Sequence, residues 1–169
     1  GITKKTGVQT VWSILAATGA VFLIILFGSG LRIITFEGFG NDVYGGSKIA
    51  FNMLLGVITF LMVGFGEEAV FRAYIQNHIV EMTGTRYGLV ISALIFTGVH
   101  LFTYGKVLDL LDVFLAGLIL GYAYMLTKSI YLPAMYHFMW DFLQVNIFRL
   151  QDYEIYKGPV LVLFNNTGD

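Results

Sequence analysis

The chain of 169 residues contains no cysteine, two prolines and little charge: Asp, Glu, Lys and Arg together make up 12%. Lack of cysteine excludes disulfides, thiolate metal sites and cysteine nucleophiles. A net charge of −1 gives no basic excess, and no nucleic-acid partner is expected. The charged share falls well short of the quarter or so usual in a soluble domain. What replaces it is apolar: 57% hydrophobic and 16% aromatic residues, with mean hydropathy +0.75.

That composition predicts an all-α polytopic membrane helical bundle. Five runs, about 10–27, 49–66, 87–103, 108–126 and 132–149, approach the ~20 residues needed to cross a bilayer core. The whole of 1–169 reads as a single membrane domain with its core at about 49–149. Residues 28–48, GSGLRIITFEGFGNDVYGGSK, read as an interfacial loop with room for a short helix around Leu31–Phe36. Residues 150–169 read as a polar tail whose apolar run, 159–164, is too brief to span. The first run lacks a cleavage motif and reads as an anchor helix rather than a signal peptide. The natural chain is expected to extend before Gly1 and beyond Asp169. Lys and Arg divide five against five between the two faces, so orientation rests on Lys4 and Lys5, which favour a cytoplasmic N-terminus.

Against this background, ionisable side chains inside the apolar runs stand out: Glu67, Glu68, His100, His137 and Asp141. Each costs at least ~2.5 kcal/mol at bilayer depth, so a shared polar cavity with chemistry in it is the economical reading. Successive helical residues point 100° apart, so Glu67 and Glu68 face different ways. Glu68 and Arg72 stand i,i+4 in the favourable order and predict an ion pair that supports the architecture. Glu67, facing elsewhere, is the reactive candidate, suited to general-base work.

The second run has no stop signal after Glu67 and is expected to remain helical to about Glu81, ending at Gly84. Glu67 lies 17 residues before Gly84 and His100 lies 16 after it. A hairpin at Gly84 would set the two at one height, with room to share a water. His137 and Asp141 are again i,i+4. Bringing them to His100 requires a short or tilted fourth helix, or non-helical backbone near 101–106, because straight rods leave an offset of ~16 Å.

At these residues the chain resembles the CPBP family, which includes the type II CAAX prenyl endopeptidases and the bacterial Abi-type membrane proteins. The family pattern EExxxR, FxxxH and HxxxN reads here as Glu67-Glu68-x-x-x-Arg72, Phe96-x-x-x-His100 and His137-x-x-x-Asp141. The resemblance covers roughly 50–148 and implies intramembrane endoproteolysis of membrane-associated peptide or protein substrates, lipidated or not; the small size suggests a compact prokaryote-type member in the cell membrane, for which a prenylated substrate is not assumed. It implies that Glu67 and His100 activate a water, that His137 and the fourth position stabilise the tetrahedral intermediate, and that Glu68 and Arg72 hold the frame. Asp141 departs from the family's Asn. An ionised Asp donates no hydrogen bond to an oxyanion, so Asp141 must be protonated, orient an imidazolium at His137, or ligate a metal.

The leading reading needs no cofactor. Glu67, His100, His137 and Asp141 also form a credible donor set for zinc or manganese, although HExxH is absent. Serine proteolysis lacks a GxSG segment with a suitable His, and Gly64-Phe65-Gly66-Glu67 only imitates the aspartyl GxGD motif. A non-enzymatic scaffold, an immunity protein or an ion-coupled carrier is the competing class, although no internal repeat supports a carrier. Asp109 and Asp112 read as helix N-terminal acids, His78 as interfacial, and Gly117 with Gly121 as a close-packing pair. Gly64 and Gly66 read as a bend or a point of close approach.

Overall fold

A backbone deprived of water must satisfy its N–H and C=O groups internally, and the apolar runs accordingly fold as helices. The computed structural model describes residues 4–103, 107–150 and 158–166. The expected turn at Tyr104-Gly105, Lys106 and the tail's 151–157 and 167–169 lie outside the described residues. In order, the elements are α1 (Lys4–Gly30), β1 (Ile34–Phe39), α2 (Gly40–Tyr44), α3 (Gly46–Glu68), a π-helical stretch (Ala69–Gln76), α4 (Asn77–Thr83), α5 (Thr85–His100), α6 (Val107–Thr127), α7 (Tyr131–Phe142), a second π-helical stretch (Leu143–Ile147) and β2 (Val162–Asn166).

All five expected runs are helical. Among the described residues three helices, Lys5–Gly30, Gly46–Thr83 and Val107–Thr127, are long and apolar enough to cross a membrane. The other two, α5 with 16 residues and α7 with 12 and a π-helical extension of 5, fall short of the ~20-residue span. Trp12, Leu26, Phe27, Met62 and Leu126 are exposed along the long helices. In water they would form an aggregating surface; against lipid tails they are solvated. The fold is that of an all-α membrane protein.

The chain divides into two compact units. The first comprises Gly1–Gln9 and Gly64–Ala134. Here α4 and α5 form an antiparallel hairpin about Gly84, whose φ of +84° favours glycine. At Gly88 the helices touch: a Cβ there would lie 2.8 Å from Val80 Cα and 2.9 Å from its N. Backbone cannot swing aside as a side-chain tip can, so Gly88→Ala should force α5 off α4. We expect a loss of about 1–3 kcal/mol, read as a lowered melting temperature of the purified protein in detergent. Gly117 and Gly121 do the same for α5 and α6. A Cβ on Gly117 would meet Ala93 Cβ at 3.2 Å, and one on Gly121 would meet Leu89 Cδ1 at 2.7 Å. The GxxxG pair packs helices within the chain. Gly66, in contrast, has open space where a Cβ would stand, which corrects the expectation of close approach there.

The second unit comprises Thr10–Val63 and Met135–Asp169. Where residues 28–48 read as a loop with room for a short helix around Leu31–Phe36, the described residues form a strand instead. Arg32 takes φ +59° and ends α1, after which Ile34–Phe39 pairs antiparallel with Val162–Asn166 across a bulge between Phe36 and Gly38. The β-branched and aromatic residues of Ile34-Thr35-Phe36 suit a pleated ladder better than a helix. Their partner is the apolar run of the tail. Between the strands and the helices sits a knot of amides. Asn146 is fully buried and its Nδ2 donates to the Asn52 carbonyl at 3.2 Å, while Asn52 Nδ2 donates to the Pro159 carbonyl. Gly56 leaves the room that Asn146 occupies.

Candidate active site

The long helix carries three polar residues spaced by four, Glu68, Arg72 and Gln76, all at 0–1% exposure. An α-helix would let such a stripe drift by ~40° per step. The π-helical backbone over Ala69–Gln76, bonded i→i+5, turns less per residue and keeps the stripe in line. Arg72 Nε stands 3.2 Å from Glu68 Oε2, the pair expected from spacing. The guanidinium also lies over the Phe96 ring, 4.3 Å from its centroid. Gln76 Nε2 donates to the Gly121 carbonyl at 3.0 Å, and its Oε1 accepts from Ser92 Oγ at 3.3 Å. Three helices are thus tied through one buried polar line.

Phe96 explains why FxxxH reads as a unit. Its ring takes Arg72 on the face and Phe71 at the edge, with centroids 5.0 Å apart. Its carbonyl lies 2.7 Å from His100 Nδ1. A carbonyl only accepts, so Nδ1 carries the proton and, in the neutral ring, Nε2 keeps its lone pair. That Nε2 stands 3.9 Å from Glu67 Oε2. The hairpin at Gly84 therefore levels Glu67 with His100, as the counts on either side of it required. The gap exceeds a direct hydrogen bond and suits a shared water. The Glu67 side chain is 30% exposed where that of Glu68 is 0%, although the Glu67 Oε2 that faces His100 is itself buried.

The second unit holds the other pair. His137 Nε2 lies 3.3 Å from Asp141 Oδ2 on α7, with the side chains 11% and 15% exposed. Pro133, in the first turn of α7, is fully buried. Past Phe142 the helix widens into its π-helical stretch, which carries the buried Gln144 and Asn146. Among the described residues, no group of three or more His, Asp or Glu side chains is arranged to hold a metal ion. Asp109 lies in the first turn of α6, and His78 is exposed on α4, its Nδ1 2.8 Å from the Tyr74 carbonyl.

Gln76, Gln144 and the Asn52–Asn146 knot were not singled out by sequence reasoning. Gln76 had a signal, since it continues the four-residue spacing of Glu68 and Arg72. The amides of the second unit had none.

The described residues thus hold a levelled Glu–His pair in one unit and a His–Asp pair in the other. Residues 49–143, more than half the chain, match the model of the type II CAAX prenyl endopeptidase Rce1-like family. The chain is a member of that family of membrane proteases. All of Glu67, Glu68, Arg72, His100, His137 and Asp141 fall inside the matched range. No curated protein and no solved structure matches the chain.

Proposed function

We propose that this chain cuts peptide bonds of membrane-associated peptides or proteins by activating a water between Glu67 and His100. The observation that carries the reading is the 3.9 Å pair with its tautomer set by the Phe96 carbonyl. His100 Nε2 accepts one hydrogen of the water, and the Glu67 carboxylate takes the other as the water oxygen attacks the carbonyl carbon. His137, held as an imidazolium by Asp141, has the role of stabilising the oxyanion of the tetrahedral intermediate. Glu67 then passes its proton to the departing nitrogen, the C–N bond breaks, and the second water hydrogen leaves with the new carboxyl group. Glu68, Arg72 and Phe96 hold Glu67 and His100 at one level. The protein works as a multi-pass component of a prokaryotic cell membrane.

The test is cleavage of two fluorogenic reporters by the purified full chain in lipid nanodiscs: a farnesylated CAAX-type peptide and the same peptide without the lipid. Hydrolysis of either supports the reading. Failure to cut both returns the chain to the non-enzymatic class of scaffold or immunity proteins. Excess EDTA should leave kcat/KM unchanged, because no step drawn here passes through a metal. Loss of activity with the chelator, restored by Zn²⁺ or Mn²⁺, would overturn the water-activation scheme in favour of a metalloprotease.

A further inference from the structure

The hairpin about Gly84 contains a mismatch of one residue. Gln76 lies eight residues before Gly84 and Ser92 lies eight after it, and the two touch, Ser92 Oγ standing 3.3 Å from Gln76 Oε1. From that level to Glu67 and His100 the two arms differ. Nine residues separate Gln76 from Glu67, and eight separate Ser92 from His100. Two regular α-helices would leave Glu67 one residue out of step, ~1.5 Å in height and ~100° around the axis. Glu67 Oε2 nevertheless stands 3.9 Å from His100 Nε2.

The backbone shows where the surplus goes. The arm from Ser92 to His100 is α-helical throughout, whereas the π-helical stretch Ala69–Gln76 fills most of the other arm. Bonds from i to i+5 put more residues into a turn, so such a stretch takes in the residue that an α-helix could not. π-Helical backbone is rare, under about 1% of residues, and it needs something to hold it. Gln76 closes the stretch at 1% exposure and commits both ends of its amide to other helices. Its Nε2 donates to the Gly121 carbonyl of α6 at 3.0 Å, and its Oε1 accepts from Ser92 of α5, whose hydroxyl also lies 3.0 Å from the Leu89 carbonyl. Gly121 makes the room, since a Cβ there would lie 2.6 Å from Gln76 Oε1. The next residue adds to the tie: Asn77 Nδ2 donates to Tyr124 Oη at 2.8 Å and lies 2.9 Å from the Ala73 carbonyl. An apolar side chain at position 76 would leave the stretch to wind into α-helix and carry Glu67 away from His100.

We propose that Gln76 is a positioning residue: pinned to α5 and α6, it keeps the surplus residue in the π-helical stretch and so keeps Glu67 level with His100. Its effect on turnover rests on the hydrolytic reading above; its effect on register does not.

The first measurement reads register without activity. The chain has no cysteine, so Glu67→Cys/His100→Cys carries two thiols that a short bifunctional methanethiosulfonate can bridge in nanodiscs. Adding Gln76→Met, which keeps the volume and removes both hydrogen bonds, should slow bridging by about tenfold in protein that still melts cooperatively. An unchanged rate overturns the proposal. The second measurement is turnover of the two reporters by the full chain. A misplacement of about 1 Å costs on the order of 10²-fold, so Gln76→Met should lower kcat by about that factor with KM nearly unchanged. Deleting Val70, an exposed residue within the π-helical stretch, leaves eight residues on each arm. In that background Gln76→Met should cost less than about tenfold. A Gln76 that only packs would cost the same with and without Val70, and that equality overturns the proposal. Should Gln76→Met fail to fold, Ser92→Ala, which removes one of the two bonds, takes its place in both measurements. If the deletion variant does not fold, the bridging rate decides alone. A wild-type chain that cuts neither reporter removes the hydrolytic reading, and the bridging rate still decides the register.

Discussion

Glu67→Gln should abolish measurable cleavage while leaving the protein folded. The amide keeps the shape of the side chain but takes no proton, and positioned general bases contribute about 10²–10⁴-fold. Glu67 is 30% exposed and 3.9 Å from His100, and Gln keeps its size, so the substitution should leave the helix hairpin in place. His100→Ala should act in the same direction and add little on top of Glu67→Gln, since the two groups handle one water and effects within one unit do not add. Steady-state kinetics on the reporters, with thermal melts of each variant, check this. Equal turnover by wild type and Glu67→Gln would dismiss Glu67 as the base.

The neighbouring carboxylate should behave in the opposite way. Arg72→Met leaves Glu68 at 0% exposure with its cation gone, and breaking one side of a buried pair costs about 3–5 kcal/mol. Against a typical total stability of 5–15 kcal/mol, that is enough to deplete the folded protein. It also removes the guanidinium from the face of Phe96, 4.3 Å away. The double variant Glu68→Gln/Arg72→Met should recover a large part of the loss, because no charge is then stranded. Melting temperatures of the two single variants and the double form the measurement. If the double is no more stable than Arg72→Met, the buried pair is not what holds this helix. Two adjacent glutamates thus separate cleanly, one read in turnover and the other in stability.

How far the sequence reached depends on the kind of signal. Helices were visible because lipid-grade apolar runs admit one backbone solution, and the hairpin was visible because Gly84 punctuates a run without proline. The level of Glu67 with His100 followed from counting along two antiparallel rods, which requires only the rise per residue. Glu68 with Arg72 and His137 with Asp141 were visible because i,i+4 neighbours meet on any helix. The π-helical stretches left no such mark: replacing i→i+4 bonds by i→i+5 depends on what the polar stripe packs against. The strand at Ile34–Phe39 was hidden for a different reason. A lone strand is marginal, and its identity is decided by a partner far along the chain, which no local window includes. Gln144 and Asn146 were hidden because a buried amide looks, in sequence, like an exposed one.

The β1–β2 ladder also imposes an order in time. Ile34 pairs with Asn166 and Phe39 with Val162, so β1 leaves the ribosome long before its partner has been made. Through the synthesis and membrane insertion of every intervening helix, the N–H and C=O groups on that edge of β1 must be served by water or by another chain. Such distant contacts are slow to close, because the intervening chain must first be ordered. The ladder therefore cannot close until β2 has been made, so it is a clasp on its unit rather than a nucleus for it.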